Sequence, residues 1–234
     1  MLPVAILAGG LATRLRPVTT TIPKALVPVV GEPFIGRQLR QLRSEGIARV
    51  VVCTGYLGEQ IEEYVGTGRS FGVEVAYSPD GPAPLGTGGA LRQALPLLGD
   101  AFFVLYGDSY LPCNFAAVER AWDLSDAPAL MTVLRNAGRW DRSNVLFRDG
   151  RVVEYNKSAP RPEMDHIDYG LSVLSFGAVR NHRAPGAFDL ADLFHRLSTT
   201  GHLAAFEVTE RFYEIGSPEG LRDAEAYFSG LESA

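Results

Sequence analysis

Short apolar runs alternate with amphipathic stretches along most of this chain, and that alternation constrains its fold more than any other feature. The runs at 3–7, 49–54, 73–77, 102–106, 130–135 and 171–175 are too short for helices and rich in Val, Ile, Leu and Phe, as strands buried on both faces require. Between them lie helical patterns at 34–45, 57–66, 87–98, 114–124 and 188–199. In the first, Ile35, Leu39 and Leu42 share one face, and in the last Leu190, Leu193, Phe194 and Leu197 follow i, i+3, i+4, i+7 spacing. A final helix starts at Ser217 as its cap, with Pro218 in the first turn. The expected class is α/β, a Rossmann-like, mostly parallel sheet flanked by helices. Arg148-Asp149-Gly150-Arg151 separates Val145-Leu146-Phe147 from Val152-Val153 and reads as a hairpin turn. Antiparallel strands are therefore expected in the C-terminal half, after residue 140. No repeat or linker interrupts 1–234, so one domain is expected, and the Pro-rich, charged stretch from Asn156 to His166 reads as a mobile loop.

The run Pro3 to Leu7 ends in Gly9-Gly10, and Arg14, Arg16 and Lys24 follow closely. Glycines at the carboxyl end of a buried strand let backbone amides approach a ligand, and the cations behind them suit phosphate. A P-loop is excluded because no lysine follows a glycine in the required register, and G-x-G-x-x-G is absent. The missing fingerprint also disfavours an NAD(P)-dependent oxidoreductase. A formal net charge of −5 argues against a nucleic-acid partner, so cations confined to one loop point to a small anionic ligand. No apolar run approaches the length of a membrane span, and no basic region followed by an apolar stretch precedes the first strand, so no membrane partner is expected and the cytoplasm is the expected location. Cys53 and Cys113 read as packing residues, and the four histidines lack metal-ligand spacing.

Leu7-Ala8-Gly9-Gly10-x-x-Thr13-Arg14-Leu15-x-Pro17, followed by Pro23-Lys24, resembles the signature of the sugar-1-phosphate nucleotidyltransferases, also called nucleoside-diphospho-sugar pyrophosphorylases. The chain departs from that pattern at Ala12, where a third glycine is usual, and the loop tolerates alanine if φ there is below zero. The resemblance implies the nucleotide-diphospho-sugar transferase fold in its compact form, with 1–112 as the nucleotide-binding part and 113–234 as the sugar-phosphate-binding part. It implies Arg14, Lys24 and Asp108 as catalytic residues, and Leu7, Ala8, Gly9, Gly10 and Thr13 as nucleotide-binding. Asp108 stands in Leu105-Tyr106-Gly107-Asp108-Ser109, similar to the family's G-D dyad, where a carboxylate holds Mg²⁺ against phosphate oxygens. Glu214, in Tyr213-Glu214-Ile215-Gly216-Ser217-Pro218-Glu219, stands where the family has an aspartate as second metal ligand.

Leu85-Gly86-Thr87-Gly88-Gly89-Ala90 reads by itself as a tight turn with close helix packing. By resemblance to heptose-1-phosphate and mannose-1-phosphate guanylyltransferases, Gly86, Thr87, Gly88 and Gly89 lie along the nucleoside, and GTP is the expected nucleotide. On the acceptor side, Gly107, Asn156, Lys157, Asp168, Tyr169 and Gly170 are the implied sugar-phosphate contacts. Asn156 stands where the family usually has a glutamate, so Glu154 or Asp168 could supply that acceptor. The implied partners are a nucleoside triphosphate and a sugar 1-phosphate, best a heptose or hexose, giving NDP-sugar and pyrophosphate. Thymidylyl, uridylyl and cytidylyl transfer share the same chemistry and stay open, as does a homo-oligomeric state. A catalytically silent nucleotide-sugar-binding regulatory subunit is the competing reading, motivated by the departures at Ala12, Asn156 and Glu214.

Overall fold

The computed structural model describes residues 1–11, 13–136 and 138–232. The N-terminal half runs β1 (Val4–Leu7), a β2–β3 hairpin (Pro28–Val29 and Glu32–Pro33), α1 (Phe34–Ser44), β4 (Arg49–Thr54), α2 (Gly58–Val65), β5 (Glu74–Pro79), α3 (Gly86–Leu98), β6 (Ala101–Tyr106), β7 (Ser109–Tyr110) and α4 (Phe115–Asp123). The C-terminal half adds β8 (Ala129–Arg135), β9 (Val145–Arg148), β10 (Arg151–Tyr155), β11 (His166–Ser175), α5 (Phe176–Arg180), α6 (Leu190–Thr199), β12 (Leu203–Val208), β13 (Tyr213–Glu214) and α7 (Pro218–Glu232).

Strands β5, β4, β1 and β6 lie side by side and parallel, so chain order reverses between β4 and β6, on either side of β1. In open α/β sheets a ligand crevice forms at such a reversal, beyond the strands' carboxyl ends. The parallel strands are buried on both faces because side chains alternate. Val4 and Ile6 join one core with Ile35, Leu39 and Leu42 of α1 and Phe115 of α4, while Ala5 and Leu7 join the other with Leu91 and Ala94 of α3 and Leu193 and Phe194 of α6.

From β6 onward the sheet takes up the antiparallel pairing expected of the C-terminal half, with two differences of detail. Antiparallel pairing does arrive, since β11 runs against β6, β8 and β9, but β8 joins it before residue 140 and β12 then pairs with β8 in parallel. The strand expected at 171–175 begins at His166 because a bulge extends it: Asp168 faces Val133 and Ser172 faces Met131, leaving residues 169–171 opposite Thr132 alone. Gly170, at φ 101°, supplies the conformation that this bulge demands, and Thr132 Oγ1 donates to the Leu171 carbonyl at 2.6 Å. The β9–β10 hairpin turns on Asp149 and Gly150, both at positive φ as a type I′ turn requires. Ser217 accepts the Gly220 N–H at 3.0 Å and caps α7 as expected.

Two-residue strands carry little hydrophobic signal, and β7 and β13 were not expected. Their antiparallel ladder sets Glu214 opposite Ser109, and the Ile215 N–H donates to the Asp108 carbonyl at 2.9 Å. A residue late in the chain is thereby fastened beside the end of β6.

Candidate active site

The crevice at the reversal is a cavity of about 280 Å³ whose walls include Leu7, Ala8, Gly9 and Gly10 after β1, Gly107 and Asp108 after β6, Lys24, and Gly86 and Thr87 at the start of α3. Backbone packing shapes its rim. A Cβ on Gly55 would lie 2.7 Å from the Gly9 carbonyl oxygen and 2.9 Å from its Cα, so the chain after β4 crosses the Gly9 loop with no room for a side chain. Gly107 packs against Ala8 in the same manner: a Cβ on it would stand 3.0 Å from the alanine methyl. The expectation for the backbone at Ala12 lies outside the described residues. Thr13 and Arg14 form a short 3₁₀ turn on the exposed side of this loop, and Tyr56 and Gln60 hold the segment that follows by donating to the Thr20 and Thr21 carbonyls.

Lys24 Nζ donates to Asp108 Oδ2 at 2.8 Å, so the first cationic loop and the β6 turn meet in the cleft. Asp108 Oδ2 and Glu214 Oε1 both lie 3.6 Å from the point where a Cβ on Gly216 would stand, which makes that glycine the floor between two carboxylates. Burial raises the proton affinity of Glu214, the Asp108 and Asp141 charges raise it further, and Arg14 and Lys24 oppose them. Thus Arg14, Lys24, Asp108 and Glu214 share one electrostatic environment. Two hard oxygen donors beside the cleft suit Mg²⁺, which uses few protein carboxylates and leaves other positions to substrate oxygens. Among the described residues no group of three or more His, Cys, Asp and Glu side chains gathers as a metal site.

At the other end of the cavity sequence reasoning missed Asp80. It lies on the cavity wall with Cys53 and Gly9; its Oδ2 accepts the Leu85 N–H at 3.3 Å, and its Oδ1 is buried with no hydrogen-bond partner. Burial raises its carboxyl above the usual range. Ser78-Pro79-Asp80-Gly81 reads locally as a turn, and the only sequence signal was its place at a strand's carboxyl end. The glycine turn beside it divides in two. Gly86 and Thr87 line the cavity, whereas the Gly88 and Gly89 amides donate to the Phe188 carbonyl at 3.0 and 3.3 Å, and a Cβ on Gly88 would stand 2.1 Å from the Phe188 ring. Thr87 Oγ1 is engaged as well, donating to Asp189 at 2.9 Å and accepting the Leu190 N–H at 2.8 Å.

On the acceptor side, the bulge places Asp168 and Gly170 next to Tyr106, whose ring lies 3.9 Å from the Cβ position of Gly170. The Tyr169 side chain is buried in the core against Phe212, so its backbone alone faces this side. Asn156 turns inward on its own loop, accepting the Ala159 N–H and donating to Glu154, which also pairs with Arg161 at 2.6 Å. Lys157 is exposed and acts electrostatically on Asp168. Burial pushes the Asp168 carboxyl up to about 6, with the Gly170 N–H and Lys157 pulling the other way. An acid whose folded pKa exceeds its unfolded value contributes stability at low pH that is lost as pH rises through the folded value. Asp168→Asn is therefore expected to stabilise the fold above about pH 7, by up to about 3 kcal/mol, and to change it little below about pH 4. Urea unfolding at the two extremes measures this, and an equal difference at both would contradict it.

Residues 4–138 match the model of the nucleotidyl transferase family. N-acetylmuramate alpha-1-phosphate uridylyltransferase of Neisseria meningitidis serogroup B is 44% identical over 94% of this chain and 96% of its own length. D-glycero-alpha-D-manno-heptose 1-phosphate guanylyltransferase of Aneurinibacillus thermoaerophilus is 28% identical over 94% of this chain and 95% of its own. The crystal structure of HddC from Yersinia pseudotuberculosis complexed with GMP-PN superposes with a TM-score of 0.79 at 26% identity, covering 97% of this chain and 100% of that one. Among the described residues no helix is long and apolar enough to cross a membrane.

Proposed function

This chain belongs to the nucleotidyl transferase family as a sugar-1-phosphate nucleotidyltransferase, and from that premise we propose that UTP is its nucleotide and N-acetylmuramate 1-phosphate its acceptor. The observation that carries this choice is the 44% identity to the Neisseria uridylyltransferase, spread over nearly the whole of both chains. The GTP expectation rested on the glycine turn, and two of its amides are spent on the Phe188 carbonyl. GTP with a heptose 1-phosphate is the second reading, favoured by the turn's sequence and by the guanylyltransferase relative.

The reaction brings two polyanions together, and each like-charge pair 4 Å apart costs on the order of 4 kcal/mol at an effective dielectric of 20. Arg14 and Lys24 hold the triphosphate and stabilise departing pyrophosphate; Asp108 already orients Lys24 in the cleft. Lys157 aligns the incoming sugar phosphate, whose oxygen attacks the α-phosphorus in line as the bond to pyrophosphate breaks. That oxygen is ionised near neutral pH, so no general base is needed. Asp108 and Glu214 would hold Mg²⁺, which when bound supplies charge neutralisation for the phosphates.

Pyrophosphate release from five triphosphates, each paired with N-acetylmuramate, heptose, mannose and glucose 1-phosphates, tests the assignment. UTP with N-acetylmuramate 1-phosphate is expected to exceed every other pair in kcat/KM by about tenfold or more, a difference of about 1.4 kcal/mol in transition-state binding. A higher value for GTP with heptose 1-phosphate would establish the second reading, and silence with all pairs would leave the regulatory subunit.

A further inference from the structure

Asp108 stands on a turn between two strands, where a carboxylate has no rigid element of its own beneath it. On the sheet side the turn is fastened by backbone: the Gly107 N–H donates to Leu7, and the Asp108 carbonyl accepts from Ile215, each at 2.9 Å. On the helix side a single side chain does the same. Gln38 of α1 donates through Nε2 to the Tyr106 carbonyl at 2.9 Å and to the Ser109 carbonyl at 2.7 Å. These two oxygens bracket Gly107-Asp108, and one nitrogen draws both together.

Gln38 is 1% exposed, on the face of α1 that also buries Ile35, Leu39 and Leu42, and its Oε1 has no hydrogen-bond partner. An unpaired buried acceptor costs about 1–3 kcal/mol, which a leucine at the same position would not incur. Packing therefore does not account for glutamine here. Its two donors on one nitrogen do, since an apolar residue offers none and a glutamate would set oxygens against oxygens.

Resting on the nucleotidyl-transfer reading of the cleft, we propose that Gln38 is a positioning residue that aims the Asp108 carboxylate at Lys24 and at the space shared with Glu214, and so sets both divalent-cation affinity and turnover. Gln38→Met removes both donors and keeps the side chain's length. Gln41→Leu is the matched comparison, because Gln41 Nε2 ties the same helix to the Leu111 carbonyl, beyond the Asp108 turn. Mn²⁺ affinity of the substrate-free protein is read by electron paramagnetic resonance, and kcat and KM by pyrophosphate release. Gln38→Met is expected to weaken Mn²⁺ binding and lower kcat by about 10–100-fold each, with KM for triphosphate within about threefold, while Gln41→Leu stays within about twofold throughout. Should the methionine variant not fold, Gln38→Leu, which also removes both donors, carries the same comparison. Wild-type Mn²⁺ affinity and kcat in either folded Gln38 variant would overturn the proposal, as would a wild-type protein that binds no Mn²⁺. A wild-type protein that binds Mn²⁺ but turns over no substrate pair would count against the proposed function alone, and the Mn²⁺ titrations would still decide the role of Gln38.

Discussion

Lys24→Ala is expected to lower kcat for nucleotidyl transfer by about 10²–10³-fold while the protein stays folded, because a fixed cation aimed at developing charge contributes a few kcal/mol to the transition state. Lys24 is well placed for this: its side chain is 18% exposed and its ammonium lies 2.8 Å from Asp108. Its loss leaves Arg14 as the remaining cation named against the Glu214 charge, so triphosphate entering the cleft meets less positive charge beside Asp108 and Glu214. The stability cost is expected to be on the order of 1–2 kcal/mol, below that of a fully buried pair, because Asp108 at 25% exposure can be rehydrated. Lys24→Arg separates charge from shape, since the guanidinium fork is larger and its donors diverge; partial recovery is expected. Circular dichroism establishes that the variants are folded, and steady-state kinetics read the loss. An alanine variant within a few-fold of the wild type would remove Lys24 from the chemistry.

Removal of divalent cations is expected to abolish activity, and added Mg²⁺ to restore it. Asp108 and Glu214 are held together by the β7–β13 ladder over Gly216, and burial together with mutual repulsion raises Glu214's proton affinity. A site that binds protons more readily than free glutamate competes poorly for metal as pH falls. The Mg²⁺ concentration giving half-maximal rate is therefore expected to rise as pH is lowered through the Glu214 titration, because proton and metal compete for the same oxygens. Glu214→Gln, which keeps the shape and removes the charge, should raise that concentration at neutral pH by about tenfold or more and flatten its pH dependence. Metal-free protein that retains full activity would exclude a catalytic ion; a glutamine variant with unaltered Mg²⁺ dependence would exclude Glu214 as a ligand.

Local pattern carried much of this molecule. The strands at 49–54 and 102–106 and the amphipathic helix after Pro33 were legible because a buried parallel strand and a half-buried helix each impose a period on neighbouring residues. The glycine turn after Leu85 was legible as a turn, but its partner was not: Phe188 lies a hundred residues away and presents no period of its own. Asp80 was hidden because its turn residues explain themselves locally, and nothing in them reports a carboxylate oxygen left without a donor. Gln38 was hidden in the opposite way, as a polar residue inside an apolar stripe whose purpose lies on another element.

By itself the sequence determined the α/β layering and the position of the cationic loop at a strand's carboxyl end, because periodicity and loop composition act over a few residues. Tertiary structure alone decided that Glu214 meets Asp108, that Gly9 and Gly55 share a space too small for a methyl group, and that Gln38 of α1 braces the Asp108 turn between β6 and β7. Those contacts join segments dozens to more than a hundred residues apart, through ladders of two residues and single hydrogen bonds, and no local propensity encodes which distant carbonyl a side chain will reach.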